Sequence, residues 1–392
     1  MAIKIKTFLK NTAKDYHSRS LNPPIVRAST TLFKSHQEIR KIQNLALKNP
    51  SLNYISYGRQ GTNTTVKLQN ILKKLENAHY VFLSPTGFGS VHLSILSIVR
   101  PGDELLVTDP VYSPTRLLVD EFLKELKIKT IFYDPNNIND LKKKISKKTK
   151  LIFVENPGSN TFEFQDLGKI ISLAKKNNIF TAIDNTWGTP YFLQPLNLGF
   201  DMSIVAATKY YSGHSDVMGG SLAVNKKVFK HVYKYDQVSG HRMSPDDAYL
   251  IIRGLRTLDI RLEQHQENTK KIAIWLSRQK KIKEVLYPYK PSSRRYKLWK
   301  KYYTGATGLL GIIIKSKNKN SVIKFANSLK LFGMGYSWGG FESLVIYQEM
   351  QQIGKREFSS IQKGEHVVRL HIGLEDSKDL IDDLKKSLRF IK

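Results

Sequence analysis

From Thr62 onward the chain alternates between amphipathic stretches and short apolar runs. Leu68, Ile71, Leu72 and Leu75 recur at helical spacing on one face, with Thr62 or Asn63 available as an N-cap. Apolar runs at 104–107, 151–154, 179–183 and 203–207 read as strands, separated by segments long enough for crossover helices. Leu167, Ile170, Ile171 and Ala174 supply the buried face of one such helix. The pattern predicts an α/β fold, a mostly parallel open sheet covered by helices, and polar residues follow its strand ends, where such sheets gather ligand-binding groups.

The character changes at both ends of this region. Residues 1–60 show few repeating periods and are interrupted by prolines and polar runs, as expected of an arm that packs against another subunit. A helical stretch over 245–266, with Leu255, Leu258 and Leu262 on its apolar face, leads toward a smaller domain. Within that domain 367–372 reads as a strand and 377–390 as a helix. The expected division is therefore an arm at 1–60, a large domain at 61–255 and a smaller C-terminal α/β domain at 256–392.

Composition narrows the function classes. A formal charge of +30 raises the question of a nucleic-acid partner, for which a noncatalytic protein would show strong, salt-sensitive binding. The lysines are scattered, however, as in Lys142-Lys143-Lys144, Lys147-Lys148 and Lys175-Lys176, and read as solvated surface, so no specific nucleic-acid partner is expected. The absence of cysteine removes disulfides, thiolate nucleophiles and thiolate metal sites, and is compatible with a reducing cytoplasm. No apolar run is long enough to span a bilayer and the N-terminus lacks the hydrophobic core of a secretion signal, so a cytoplasmic protein without membrane association is expected.

Candidate chemistry concentrates after the strands. Asp184 ends the run Ile179-Phe180-Thr181-Ala182-Ile183, and Lys209 follows Ile204-Val205-Ala206-Ala207, 25 residues later. A lysine and a carboxylate at two strand ends suit pyridoxal phosphate (PLP): the amine can form a Schiff base with its aldehyde and the carboxylate can stabilise the protonated ring nitrogen. A surface lysine and a capping aspartate are the plainer alternatives. Pro85-Thr86-Gly87-Phe88-Gly89 reads as a turn opening a helix, whose N-H groups could bind a phosphate or simply form a turn. Tyr112, in Asp109-Pro110-Val111-Tyr112, could stack on a cofactor ring or pack in a loop. His214 has no matched set of ligands around it, so no metal is expected.

Tyr57-Gly58-Arg59, Asp184-Asn185-Thr186-Trp187, Ala206-Ala207-Thr208-Lys209, Tyr336-Ser337-Trp338-Gly339-Gly340 and the run from Arg369 to Asp376 occur in one order along the chain. Together they resemble the Cys/Met-metabolism PLP-dependent enzymes, in the version carried by bacterial beta-lyases, from about Leu21 to Leu388. The resemblance implies a fold-type I architecture in which Lys209 carries PLP, Asp184 meets the pyridine nitrogen and Tyr112 stacks on the ring. Gly87, Phe88 and Thr208 would form the phosphate cup, with Tyr57 and Arg59 supplied across an interface to a neighbouring subunit's phosphate. Arg369 would clamp the substrate carboxylate, with Ser337 and Trp338 shaping the pocket. The implied assembly is a homotetramer of two active-site-sharing dimers.

The activity so implied is beta elimination of L-cystathionine or a related sulfur amino acid, with Lys209 as proton carrier and Lys209 or Tyr112 protonating the leaving group. It would yield homocysteine, pyruvate and ammonia in methionine biosynthesis. Elimination or replacement at the gamma carbon uses the same groups and is the main rival. The aromatic 336–340 stretch, Ala206 and Ser159 resemble the beta-lyase version. Phe88 and Asn156 depart from the familiar beta-lyase pattern and could alter access or selectivity.

Overall fold

The apolar runs pair into a seven-stranded sheet of β1 (Tyr80–Ser84), β2 (Glu104–Thr108), β3 (Lys129–Tyr133), β4 (Thr149–Glu155), β5 (Phe180–Asp184), β6 (Met202–Val205) and β7 (Gly220–Val224). This arrangement comes from a computed structural model that describes residues 4–12, 14–15, 19–52, 54–349 and 356–392. The sheet order is β1-β7-β6-β5-β4-β2-β3, with β7 antiparallel to both neighbours and every other pairing parallel. Helices cover both faces, which is why β2 and β6 are continuous buried runs rather than alternating ones. All four expected strands are present with ends shifted by one or two residues.

The helix Asn63–Leu75 starts at Thr62 in a capping box with Thr65 and buries Leu68, Ile71, Leu72 and Leu75. The helix Leu167–Lys176 is capped by Asp166, which accepts from the Lys169 N-H, and buries Leu167, Ile170, Ile171 and Ala174. Each such leucine or isoleucine contributes about 1.5–3 kcal/mol of burial.

Two expectations need correction. The stretch 245–266 is not one helix but two, Pro245–Leu255 and Leu258–Leu276. The break has a physical cause. The Gly254 carbonyl accepts from the buried Arg261 guanidinium at 2.7 Å, and the same guanidinium reaches the Tyr210 carbonyl at 2.8 Å. Gly254 itself lies so close to Tyr211 and Ser212 that a Cβ there would meet their carbonyl oxygens at 2.4 and 2.3 Å. Residues 1–60, expected to be irregular, contain the helices Ile5–Lys10 and His36–Lys48, and the second buries none of its own side chains in this chain.

A five-stranded sheet follows, built from β8 (Ile282–Leu286), β9 (Leu309–Lys315), β10 (Gly333–Met334), β11 (Leu344–Gln348) and β12 (Glu365–His371) in the order β10-β11-β12-β9-β8. The expected strand at 367–372 falls in β12, and the last helix, Ser377–Leu388, is capped by Asp376. The two sheets are tied together by buried polar bonds, Trp187 Nε1 donating to the Leu309 carbonyl at 3.1 Å and the Gly308 N-H donating to Tyr210 Oη at 2.9 Å. Among the described residues no helix is long and apolar enough to cross a membrane.

Candidate active site

Three neighbouring strand ends define the site. Asp184 ends β5 and stands in register with Glu155, which ends β4. Its Oδ1 accepts from the Thr186 N-H at 2.9 Å and from Thr186 Oγ1 at 2.5 Å. Thr186 Oγ1 in turn accepts from the Ala206 N-H at 2.9 Å, which links the end of β5 to the end of β6. Lys209 sits in the turn that follows, its N-H donating to the Ala206 carbonyl at 3.0 Å. Thr208 closes this turn, since its Oγ1 accepts from the Gly219 N-H at 3.0 Å.

Burial lowers the Lys209 ammonium to about 8; the charge of Arg369 adds to the drop and Asp184 opposes it. About a tenth of this amine is therefore neutral at pH 7. Burial raises the Asp184 carboxyl, while its bonds from Thr186 and the charge of Lys209 pull it back down.

The helix Gly87–Leu96 begins at the same edge, capped by Thr86, whose Oγ1 accepts from the Gly89 N-H at 2.9 Å. Only glycine fits at its first position, because a Cβ on Gly87 would come within 2.4 Å of the Ala206 Cβ. A Cβ on Gly220 would likewise meet the Thr86 carbonyl at 2.4 Å. Close backbone approach thus brings a positive helix end to the edge that carries Lys209, an arrangement suited to a phosphate.

The small sheet closes the site from the other side. Lys209 Nζ donates to Ser337 Oγ at 2.6 Å and lies 5.4 Å from the centre of the Trp338 ring. Arg369, on β12, donates to the Ser337 carbonyl at 3.2 Å. Burial lowers its guanidinium to about 10, so it stays cationic at neutral pH. Ser337 is held at φ 84°, in the left-handed region that a non-glycine residue occupies only under local constraint. Tyr112 belongs to the same cluster: its N-H donates to Glu155 Oε2 at 2.6 Å, and its phenol is raised by burial and by the charges of Glu155 and Asp184.

Lys209, Asp184, Tyr112, Ser337, Trp338 and Arg369 therefore meet, with Gly87, Phe88 and Thr208 at the adjoining edge. Tyr57 and Arg59 do not join them within the chain. Arg59 donates to the Gln237 carbonyl at 3.3 Å and its own carbonyl accepts from Arg242 Nε. A cavity of about 360 Å³ in that region is walled by Tyr54, Gly58, Asp236 and Arg242 and includes none of the Lys209 cluster. His214 is engaged with the Ser212 carbonyl at 2.6 Å. Asn156 turns away from the cluster, its amide donating to Tyr303 Oη at 2.8 Å and accepting from the Gln165 N-H at 2.7 Å.

Sequence reasoning assigned no role to Glu155, Arg261 or Gly339. Glu155 gave the same signal as Asp184, an acidic residue closing an apolar run. Gly339 gave none that a short motif reveals, because its role is contact: a Cβ on it would sit 2.9 Å from the Lys209 carbonyl carbon.

The residues fit PLP: a half-buried amine of lowered basicity, a carboxylate on the adjacent strand, and a helix start pressed to the same edge. A family model described as Cys/Met metabolism PLP-dependent enzyme matches residues 6–389. The chain is 35% identical over 387 residues to the cystathionine beta-lyase of Escherichia coli strain K12, covering 97% of each protein. It is 34% identical over 377 residues to an L-alanine/L-glutamate racemase of Wolbachia pipientis, covering 94% of this chain and 92% of the racemase. Among solved structures it matches cystathionine gamma synthase from Xanthomonas oryzae pv. oryzae in complex with cystathionine, with a TM-score of 0.90, 27% identity and coverage of 100% and 99%.

Proposed function

Because the chain belongs to the Cys/Met metabolism family of PLP-dependent enzymes, we propose that it is a carbon-sulfur lyase that cleaves L-cystathionine at the beta carbon. With water, the products are homocysteine, pyruvate and ammonia, a step toward methionine in the cytoplasm. The observation that carries the PLP-dependent amino-acid chemistry is the meeting of Lys209, Asp184 and Arg369 from two different sheets, an arrangement that beta and gamma enzymes share. The E. coli beta-lyase, alike over nearly its whole length, supports cleavage at the beta carbon.

Bound PLP supplies an electron sink for the charge left when an alpha proton departs. In this reading Lys209 would hold the cofactor, Asp184 would serve its ring nitrogen, Tyr112 its ring, and Gly87, Phe88 and Thr208 its phosphate. Tyr57 and Arg59 reach the phosphate of a neighbouring subunit, in a homotetramer of two active-site-sharing dimers. The largely exposed apolar side chains of the arm, Leu32 at 90% and Leu47 at 81%, support burial against another subunit. Residues 1–60 serve as that arm, 61–255 as the cofactor-binding domain and 256–392 as the smaller domain.

Arg369 binds the alpha-carboxylate through two charge-assisted hydrogen bonds and so fixes which bond at the alpha carbon faces Lys209. The neutral Lys209 amine takes the alpha proton, with Ser337 Oγ as the acceptor that orients it. The departing sulfur leaves as a thiolate and needs a proton. Lys209, now an ammonium, can return one; the Tyr112 phenol is the other donor within the cluster. Trp338, its ring centre 5.4 Å from Lys209 Nζ, forms the Lys209 side of the pocket.

A second reading, attack at the gamma carbon, is favoured by the match to the X. oryzae synthase. Mass spectrometry of the products from L-cystathionine separates them. Homocysteine with pyruvate supports beta elimination, and cysteine with 2-oxobutyrate replaces it with gamma elimination. Neither pair, together with conversion of L-alanine to D-alanine, would move the assignment to the activity named for the Wolbachia relative.

A further inference from the structure

Glu155 is the one carboxylate of the cluster to which the proposed reaction gives no task. It ends β4, directly in register with Asp184 on β5, and its backbone carbonyl accepts from Gln165 Nε2 at 3.0 Å. Its side chain reaches sideways to the next loop, where Oε2 accepts the Tyr112 N-H at 2.6 Å. Tyr112 is the N-cap of the short helix Ser113–Leu117 and its own side chain makes no capping bond. The backbone of Tyr112 is therefore set by a side chain from the adjacent parallel strand rather than by its own loop.

We propose that Glu155 is the positioning residue for Tyr112: anchored at the end of β4, it fixes the height and tilt of the ring that lies against cofactor and substrate. This rests on the reading of Tyr112 as the ring-stacking residue.

The surroundings fit that role. Two carboxylates at neighbouring strand ends repel if both ionise. Burial and the charge of Asp184 push the Glu155 carboxyl well above the usual carboxylate range, while Asp184 is drawn back by Thr186 and Lys209. The pair thus divides its labour, with Asp184 the readier to carry charge and Glu155 the readier to stay neutral. A neutral carboxyl still accepts an N-H, so a glutamine should replace it and a shorter side chain should not. Arg356 holds the neighbouring loop, donating to Thr161 Oγ1 at 2.7 Å and to the Ser159 carbonyl at 2.9 Å, while its charge and the bond from the Tyr112 N-H draw the Glu155 carboxyl part of the way back down.

The test uses the full-length, PLP-loaded protein with Glu155→Gln, Glu155→Asp, Glu155→Ala, Tyr112→Ala and the double variant Glu155→Ala with Tyr112→Ala. Two readouts are followed: circular dichroism in the PLP absorption band, and kcat/KM for L-cystathionine. Glu155→Gln is expected to stay within about 3-fold of wild type with the same dichroism, whereas Glu155→Asp and Glu155→Ala lose about 10- to 100-fold and change the band, as for loss of one hydrogen bond involving a carboxyl. The double variant should be no worse than Tyr112→Ala, because residues acting through one another do not add. Multiplying losses, an unchanged band in both shortened variants, or a Glu155→Gln variant that melts normally yet fails like Glu155→Ala would overturn the proposal. If Glu155→Ala fails to fold, Glu155→Asp decides. If wild type leaves cystathionine intact, the dichroism alone still decides, and the substrate assignment fails separately.

Discussion

The two sheets serve the site in different ways. The seven-stranded sheet offers the ends of parallel strands, so Glu155, Asp184 and the turn bearing Lys209 lie side by side as a direct result of register. The five-stranded sheet offers Arg369 from within β12 and the turn containing Ser337, Trp338 and Gly339, which leans over Lys209. The first arrangement is local and fixed by backbone pairing, whereas the second depends on how one sheet is seated on the other. Under the proposed function, the first performs proton chemistry and the second reads the substrate.

The largest expected effect lies in the first sheet. Lys209→Ala should lower turnover of L-cystathionine by more than about 10⁴-fold, or roughly 5 kcal/mol, because under the proposed function one change removes the cofactor's anchor and the proton carrier. Pyruvate release, followed with the PLP absorption spectrum, measures both losses. Retention of turnover would remove the division between the sheets altogether.

Arg369→Ala should act differently: a loss of about 10²- to 10³-fold in kcat/KM, roughly 3–4 kcal/mol, with the PLP spectrum preserved. Arg369→Lys should recover only part of it, since an ammonium cannot make the planar two-point contact. A changed spectrum in Arg369→Ala would show that the small sheet also shapes the cofactor site.

The same contrast explains what could be read from the sequence. Strands β2, β4, β5 and β6 were legible because helices cover both faces and leave apolar runs. Asp184 and Lys209 stood out because each closes such a run, and the capped helix Asn63–Leu75 was visible from its periodicity. The antiparallel β7, wedged between β1 and β6, begins at Gly220 with small residues and gave no comparable signal. The break at Arg256–Thr257 was hidden because a local helical period cannot report that Arg261 takes up the Gly254 carbonyl. Ser337, Trp338 and Arg369 were singled out by resemblance alone, as their meeting with Lys209 is set by sheet docking.

A pH effect sharpens the comparison from beneath the first sheet. Glu76 follows the helix Asn63–Leu75 and is buried, accepting from Tyr211 Oη and Ser203 Oγ, each at 3.1 Å. Burial raises its carboxyl to about 7 despite those two bonds. Below the unfolded value, near pH 4.5, folded and unfolded chains both hold the proton and there is no penalty. As pH rises toward 7 the unfolded chain releases its proton first, so stability falls, and above the folded value the full penalty of about 3 kcal/mol applies. Urea unfolding of wild type and Glu76→Gln at about pH 5 and about pH 8 should show this decline in wild type and its loss in the variant. An identical decline in both proteins would assign the pH dependence to other groups.

The smallest effect tests the contact between the sheets. Gly339 sits at φ 90°, and a Cβ there would fall 2.9 Å from both the Lys209 carbonyl carbon and the Tyr210 nitrogen. Those are backbone atoms, so neither can swing aside. Gly339→Ala must therefore strain its own backbone or lift the turn away from Lys209, at a cost of about 1–3 kcal/mol. Lifting would also weaken the bond from Lys209 Nζ to Ser337 Oγ and move Trp338, raising KM more than it lowers kcat. Gly335, four positions earlier, has nothing within 4 Å of a built Cβ and makes Gly335→Ala the matched control. If thermal melting and KM change equally in the two variants, close packing of this turn on the lysine is not what joins the sheets.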